Sequence, residues 1–279
     1  MSGAVANVEV WSGKDRGDEN FPVGSALISA RVRPHVHAFY AFARNADDIA
    51  DSPTLSPDDK VARLDTMEDV LLGHRADGSP SAARLRADLA ETGVTPRHSL
   101  DLLVAFRRDA TKLRYQSWDE LLDYCRYSAM PVGRHVLDLH GEGRQAWDAS
   151  DALCTALQVL NHVQDCARDL ADLDRCYLPL DLMERHGATL GDLRGLAASA
   201  GLRLVLDDLL DQCDTLNHAA PFLPRRTRDR WLRVETAVIV GLSRRLAARL
   251  RKGDPVARRV KLSKTDALFA VLSALRYLP

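Results

Sequence analysis

Apolar residues along this chain recur at three- and four-residue steps, the spacing that gathers them on one face of an α-helix. Val32, Val36, Phe39, Tyr40 and Ala43 set that rhythm over residues 31–51. Ser56-Pro57-Asp58-Asp59 supplies a capping hydroxyl, a first-turn proline and acids at a helix start, and predicts a helix to about Leu72. Gly73 and Asp77-Gly78-Ser79-Pro80 end it, and further helices are predicted over 81–91 and from Thr95-Pro96 to about Leu113. Ser117 caps a helix carrying Leu121, Leu122, Tyr124 and Cys125, which Pro131 interrupts. After a break at 140–143 one long helix is predicted over 146–173, with Pro179 in the loop beyond it. The last third reads as helices over 190–198, 202–218, 225–250 and 264–275, broken at Gly201, Pro224 and Gly253-Asp254-Pro255. Alternating patterns and Asn-Gly hairpin turns between β-branched runs are missing, so strands are not predicted. Short connections, without repeats or low-complexity linkers, predict a single all-α domain of bundle type over 1–279, with 1–18 flexible.

Composition narrows the class. A chain of 279 residues can bury a large core without disulfides. With aromatics at only 6%, aliphatic side chains and alanine must fill that core. The five cysteines form no CxxC and are odd in number, which fits reduced thiols in a cytoplasmic protein. The 38 Lys and Arg against 39 Asp and Glu leave a net charge of −1, which argues against a nucleic-acid partner. The N-terminus has no apolar core of a signal peptide, and no apolar run approaches the ~20 residues of a spanning helix. A cytoplasmic location is expected.

Candidate chemistry lies in two acid-rich motifs. Residues four apart on a helix are offset by only about 40°, so Asp47 and Asp51 of Asp47-Asp48-Ile49-Ala50-Asp51 share a face. By the same spacing Asn161, Asp165 and Asp169 form one stripe on the long predicted helix, preceded on nearly the same side by Gln158. Phe39, Tyr40 and Phe42 surround the first motif, and Leu153, Leu157, Leu160 and Val163 the second, so both should face the interior. Asp207-Asp208-Leu209-Leu210-Asp211 has the spacing of the first motif but lies on an amphipathic helix, where its acids are expected on the wet face. Buried carboxylates gathered together need a cation, and hard oxygen donors suit Mg²⁺. The expectation is a site of two or three Mg²⁺ ions between the two helices, with Asp47, Asp48, Asp51, Asn161, Asp165 and Asp169 as candidate ligands.

These residues carry a resemblance. Arg44 to Asp51 reads RxxDDxxD and Asn161 to Asp169 reads NxxxDxxxD. Tyr124-Cys125 leads into Ala129-Met130-Pro131-Val132-Gly133, Leu157-Gln158 precedes Asn161, and Arg175-Cys176-Tyr177-Leu178-Pro179 follows Asp169. In these features, from about Glu19 to Leu180 and more loosely beyond, the chain resembles the squalene/phytoene synthase family, head-to-head prenyl synthases of the isoprenoid-synthase fold. Glu19-Asn20-Phe21-Pro22-Val23-Gly24-Ser25 and the segments Tyr40 to Asp51 and Tyr127 to Arg134 are most similar to its hopanoid-pathway branch. Cys166 and His162 depart from relatives without removing a candidate ligand and are read as packing variants.

The resemblance implies a helical bundle around a central cavity. It also implies Mg²⁺-dependent conversion of presqualene diphosphate and water into hydroxysqualene, between a sister enzyme that makes the substrate and a flavin enzyme that reduces the product. Asp47, Asp51, Asp165, Asp169 and Tyr124 would be catalytic. Arg44, Gln158, Lys112, Arg168, Arg175 and Tyr177 would bind substrate, with Arg114 a further candidate. Phe21, Phe39, Phe42, Tyr124 and Val132 would wall the prenyl pocket, and Ala129 and Gly133 would leave it room. No nicotinamide cofactor is expected, since no GxGxxG follows a strand. The alternatives are condensation of two farnesyl or geranylgeranyl diphosphates, and, from another class, a non-catalytic helical scaffold. Partners would be the prenyl diphosphate and the other pathway enzymes. Arg225, Arg226, Arg228, Arg230, Arg233, Arg244, Arg245, Arg249, Arg251 and Lys252, interleaved with Trp231, also suggest a basic amphipathic helix resting on the inner face of the membrane.

Overall fold

A computed structural model describes residues 7–9 and 28–278. Among them twelve α-helices follow one another: α1 Arg33–Ala50, α2 Pro57–Leu72, α3 Pro80–Thr92, α4 Arg97–Thr111, α5 Trp118–Ser128, α6 Met130–Leu139, α7 Trp147–Leu173, α8 Leu180–Arg185, α9 Ala200–Ala219, α10 Phe222–Arg226, α11 Arg230–Lys252 and α12 Lys264–Ala274. The only pairing of strand type among the described residues is an isolated bridge between Arg114 and Cys176. Serine hydroxyls cap α2, α5, α9 and α12, each accepting from a backbone N–H in the first turn, as the sequence led one to expect at Ser56 and Ser117. Pro131, which lacks an N–H, takes a first-turn position of α6, so the break falls at Ala129.

Three expectations change. Residues 190–198 hold only a single 3₁₀ turn, Asp192–Arg194, because the Asp192 carboxylate accepts from Thr189 N and Oγ1 and winds the chain locally. Gly201 does not break a helix but lies in the first turn of α9, where a Cβ would come 2.4 Å from the His186 carbonyl oxygen. The helix predicted from 225 starts at Arg230, since Asp229 caps it and the buried Glu142 carboxylate accepts from the Arg228 and Asp229 N–H groups before it. Within the 1–18 stretch expected to be flexible, Val8 donates to the Gly78 carbonyl and Glu9 accepts from Ser79 and Ser81.

α7 is the axis of the bundle, packed against α5, α6, α9 and α11. Val159, Leu160, Val163 and Leu170 of α7 join Leu202, Val205, Leu206 and Leu209 of α9 in one apolar core. Phe42, Ile49, Leu64, Met67, Leu85 and Leu103 close a second core among α1–α4. Gly133 lets α6 approach α7 closely, since a Cβ there would sit 2.3 Å from Ser150 Oγ. The acid motifs therefore lie on α1 and α7, which border the space between the two cores.

His135 is fully buried and stacked on Phe39 at 3.8 Å, with neither ring nitrogen hydrogen-bonded. Burial, and then His98, push its pKa from 6.5 down to about 3. The unfolded chain can take up this proton below about pH 6.5 and the folded chain cannot, so stability drains away as the pH falls from 6.5 toward 3. Between pH 7 and 5 this one group should cost about 2 kcal/mol, a fall in melting temperature on the order of 5 °C. Thermal melts at both pH values check this. His135→Leu should show a smaller drop than the native chain, and an equal drop would contradict the assignment.

Candidate active site

Two chambers meet between α1, α6 and α7. One, of about 290 Å³, is polar and lined by Arg44 and Asp47 of α1 and Asp51 at its C-terminal cap, Asp109 of α4, Tyr124 of α5, Gln158, His162 and Asp169 of α7, and Arg175 and Tyr177 from the following loop. The other, of about 320 Å³, is apolar, with Val36, Phe39, Gly133, Val136, Leu153, Leu157 and Ile239 among its walls. Tyr40, Ala43 and Val132 border both.

The carboxylates of the polar chamber are electrostatically uncomfortable. Burial and then Asp51 hold the Asp47 carboxyl well above its usual range, although Arg44 opposes both. Burial, and then Asp165, push Asp169 up to about 7. Arg44 sits between two acids, 3.0 Å from Asp47 and donating through Nε and Nη2 to Asp48 Oδ1. Asp51 accepts from Arg175 Nη1 at 2.9 Å.

Behind them lies a network centred on Asp109, which the sequence reading missed. Its two carboxylate oxygens accept from the Tyr124 and Tyr177 hydroxyls at 2.7 and 2.8 Å. Arg175 donates to the Asp109 carbonyl oxygen and to the Tyr177 hydroxyl. Burial pushes Asp109 up to about 6, with Arg175 pulling the other way. The His162 ring stacks on Tyr177 at 3.6 Å. Backbone bonds from Cys176 N to Leu113 O and from Leu180 N to Tyr115 O tie the 175–180 loop to the segment after α4, which places Arg175 and Tyr177. A signal for Asp109 did exist: it continues the three- and four-residue steps of Ser99, Leu102, Ala105 and Phe106, a carboxylate on the buried stripe of α4.

Other candidates stand elsewhere. Asp48 is buried on the core side of α1 and bound by Arg44, because it lies about 100° around the helix from Asp47. Asn161 borders the apolar chamber. Asp165 lines neither chamber and pairs with Arg168 at 2.9 Å and with Arg259, also missed from sequence, at 3.1 Å. Arg168 lies on the outside of α7. Lys112 pairs with Glu120 and Arg114 with Asp174, both away from the polar chamber. Phe42 and Ala129 are buried without lining either chamber, and Phe21 falls outside the described residues. Asp207, Asp208 and Asp211 are partly exposed and paired with Arg203, His186 and Arg251, as their amphipathic helix predicted. Among the described residues no three His, Cys, Asp or Glu side chains converge into a ready-made metal cage.

The chain as a whole is similar to known proteins. A hydroxysqualene synthase of Rhodopseudomonas palustris is 46% identical over 96% of this chain and 91% of its own length. One of Zymomonas mobilis is 47% identical over 92% of this chain and 87% of its own. The crystal structure of squalene synthase HpnC from Alicyclobacillus acidocaldarius superposes with a TM-score of 0.75 at 35% identity, covering 85% of this chain and 90% of that one. The squalene/phytoene synthase family profile matches residues 14–266, a span that holds both acid motifs and every described residue of the two chambers, and the chain belongs to that family.

Proposed function

We propose that the protein converts presqualene diphosphate and water into hydroxysqualene and diphosphate. The observation that carries this reading is the junction of a chamber of carboxylates and guanidinium groups with an apolar cavity across Tyr40, Ala43 and Val132. Such a pair fits a substrate with a diphosphate head and long hydrocarbon tails. Asp47, Asp51 and Asp169 would hold Mg²⁺, with Asn161 and Asp165 flanking them on α7. The raised pKa values of Asp47 and Asp169 express the crowding of negative charge that a dication relieves. When bound, Mg²⁺ supplies charge stabilisation for the departing diphosphate oxygen.

The side chains do the rest. Arg44 reaches the diphosphate from α1 through charge-assisted hydrogen bonds, and Asp48 holds its guanidinium in place. Arg175 restrains Asp51, and the Asp109–Tyr124–Tyr177 network fixes the floor against which the head group sits. Gln158 lines the same chamber and completes its α7 wall. As the C–O bond breaks, the apolar walls keep stray solvent from the carbon skeleton, and one water then adds its oxygen to the cation and loses a proton. Condensation of two farnesyl or geranylgeranyl diphosphates is the weaker enzymatic reading. A non-catalytic scaffold is weaker still, because it leaves the raised carboxylates without a purpose. No helix of the described residues is long and apolar enough to cross a membrane. We place the protein in the cytoplasm with a peripheral contact to the inner membrane face, beside the other enzymes that share its poorly soluble intermediates. Product analysis with presqualene diphosphate as sole prenyl substrate tests the reaction assignment.

A further inference from the structure

α12 breaks the pattern of a surface helix. Only Asp266, Ala270 and Ala274, a stripe one residue wide, are buried against α11. Around that stripe Leu268, Phe269 and Leu272 stand 55%, 53% and 50% exposed, joined by Val271, Leu275 and Leu278. A helix apolar on all sides is ordinarily buried on all sides, and a contiguous apolar surface of this kind marks a contact with something else.

The surroundings say what that is. α12 runs antiparallel to α11, with Asp266 bound by Arg249 and Ala270 close to Gly241. Arg245 lies 5.0 Å from the Phe269 ring centre, so the apolar face adjoins a cleft of about 630 Å³ lined by Arg245, Arg249, Lys252, Arg258, Arg259 and Lys261. From Pro255 onward the sequence has five basic residues, Arg258, Arg259, Lys261, Lys264 and Arg276, against one acid, Asp266, which is buried and paired. Among the described residues Lys252, Arg258 and Lys261 carry no ion pair and are exposed. A second copy of the chain docked here would set cation against cation. A bilayer surface offers hydrocarbon to the leucines and phenylalanine, and phosphate to the rim.

The basic stretch over 225–252, where the sequence suggests lipid contact, forms α10, α11 and the turn between them, and its arginines are largely engaged within the fold. Arg228 bonds the Gly141 carbonyl, Arg233 the Thr227 carbonyl, Arg244 the Asn217 carbonyl and Arg251 the carboxylates of Asp211 and Asp214. We propose that the protein docks on anionic bilayers through the exposed face of α12, with the 252–261 cations gripping lipid phosphates at its edge. This rests on the peripheral-membrane part of the reading above and is independent of the substrate.

Sedimentation of the full chain with phosphatidylcholine vesicles, with and without phosphatidylglycerol, tests it. The native chain should bind the anionic vesicles about tenfold or more tighter, and high salt should weaken that binding. The triple variant Leu268→Ser, Phe269→Ser, Leu272→Ser should bind them about tenfold more weakly at unchanged melting temperature. Lys252→Glu, Arg258→Glu, Lys261→Glu should lose the preference for phosphatidylglycerol. Undiminished binding by the apolar variant overturns the assignment to α12 alone. Failure of the native chain to bind overturns the peripheral reading as well, and so does concentration-dependent dimerisation that the apolar variant abolishes without any vesicle binding.

Discussion

Asp47→Asn and Asp169→Asn should each lower turnover by roughly 10²–10³-fold, the size of loss that follows removal of one group stabilising a transition-state charge. Both acids face the polar chamber, and both are held above their ordinary range by burial and by neighbouring carboxylates. The same crowding gives the variants a second signature. Removing one of several crowded, half-buried carboxylates should leave the melting temperature unchanged or slightly raised in the absence of Mg²⁺, as expected where activity keeps a site strained. Loss of activity with loss of folding would contradict this account. Asp207→Asn is the control: its carboxylate is partly exposed, 2.8 Å from Arg203, and its loss should change turnover less than about twofold. Steady-state diphosphate release together with melting curves reads both effects.

Asp109→Ala should produce the largest stability loss in the site, about 3 kcal/mol, because it removes the acceptor of two buried tyrosine hydroxyl protons and a carboxylate beside a buried guanidinium. Tyr124 and Tyr177 would each lose a hydrogen bond shorter than 3 Å. Arg175 would keep Asp51 but lose the charge nearest its Nε. For a chain of this length that corresponds to a fall in melting temperature on the order of 10 °C. Asp109→Asn retains the shape and one acceptor and should recover part of the stability. If Asp109→Ala melts with the native chain, the network is not what holds the chamber floor.

The helices were legible where short-range chemistry decides them. Ser56 and Ser117 announce their helices because a hydroxyl and the N–H it accepts lie three residues apart. Residues 190–198 misled because leucine spacing there competes with an Asp–Thr turn that uses the same few residues. The acid motifs were legible for the same reason as the helices, since a four-residue step places Asp47 and Asp51 on one face whatever lies opposite. Adjacency in sequence proved a poorer guide. Asp48 and Arg168 stand one residue from Asp47 and Asp169, yet one residue is about 100° of rotation, enough to turn each away from the chamber. Arg259 reaches Asp165 across 94 positions, and the Asp109 floor joins α4, α5 and a loop, so these pairings have no local pattern to show, although the buried stripe of α4 does mark Asp109 itself.

Product analysis after incubation with Mg²⁺ and a single prenyl diphosphate bears most directly on the central claim. With presqualene diphosphate the protein should release diphosphate and form hydroxysqualene whose hydroxyl oxygen comes from labelled water. With farnesyl diphosphate alone it should form nothing. Presqualene diphosphate, squalene or phytoene made from farnesyl or geranylgeranyl diphosphate would contradict the account, as would hydroxysqualene without the solvent label.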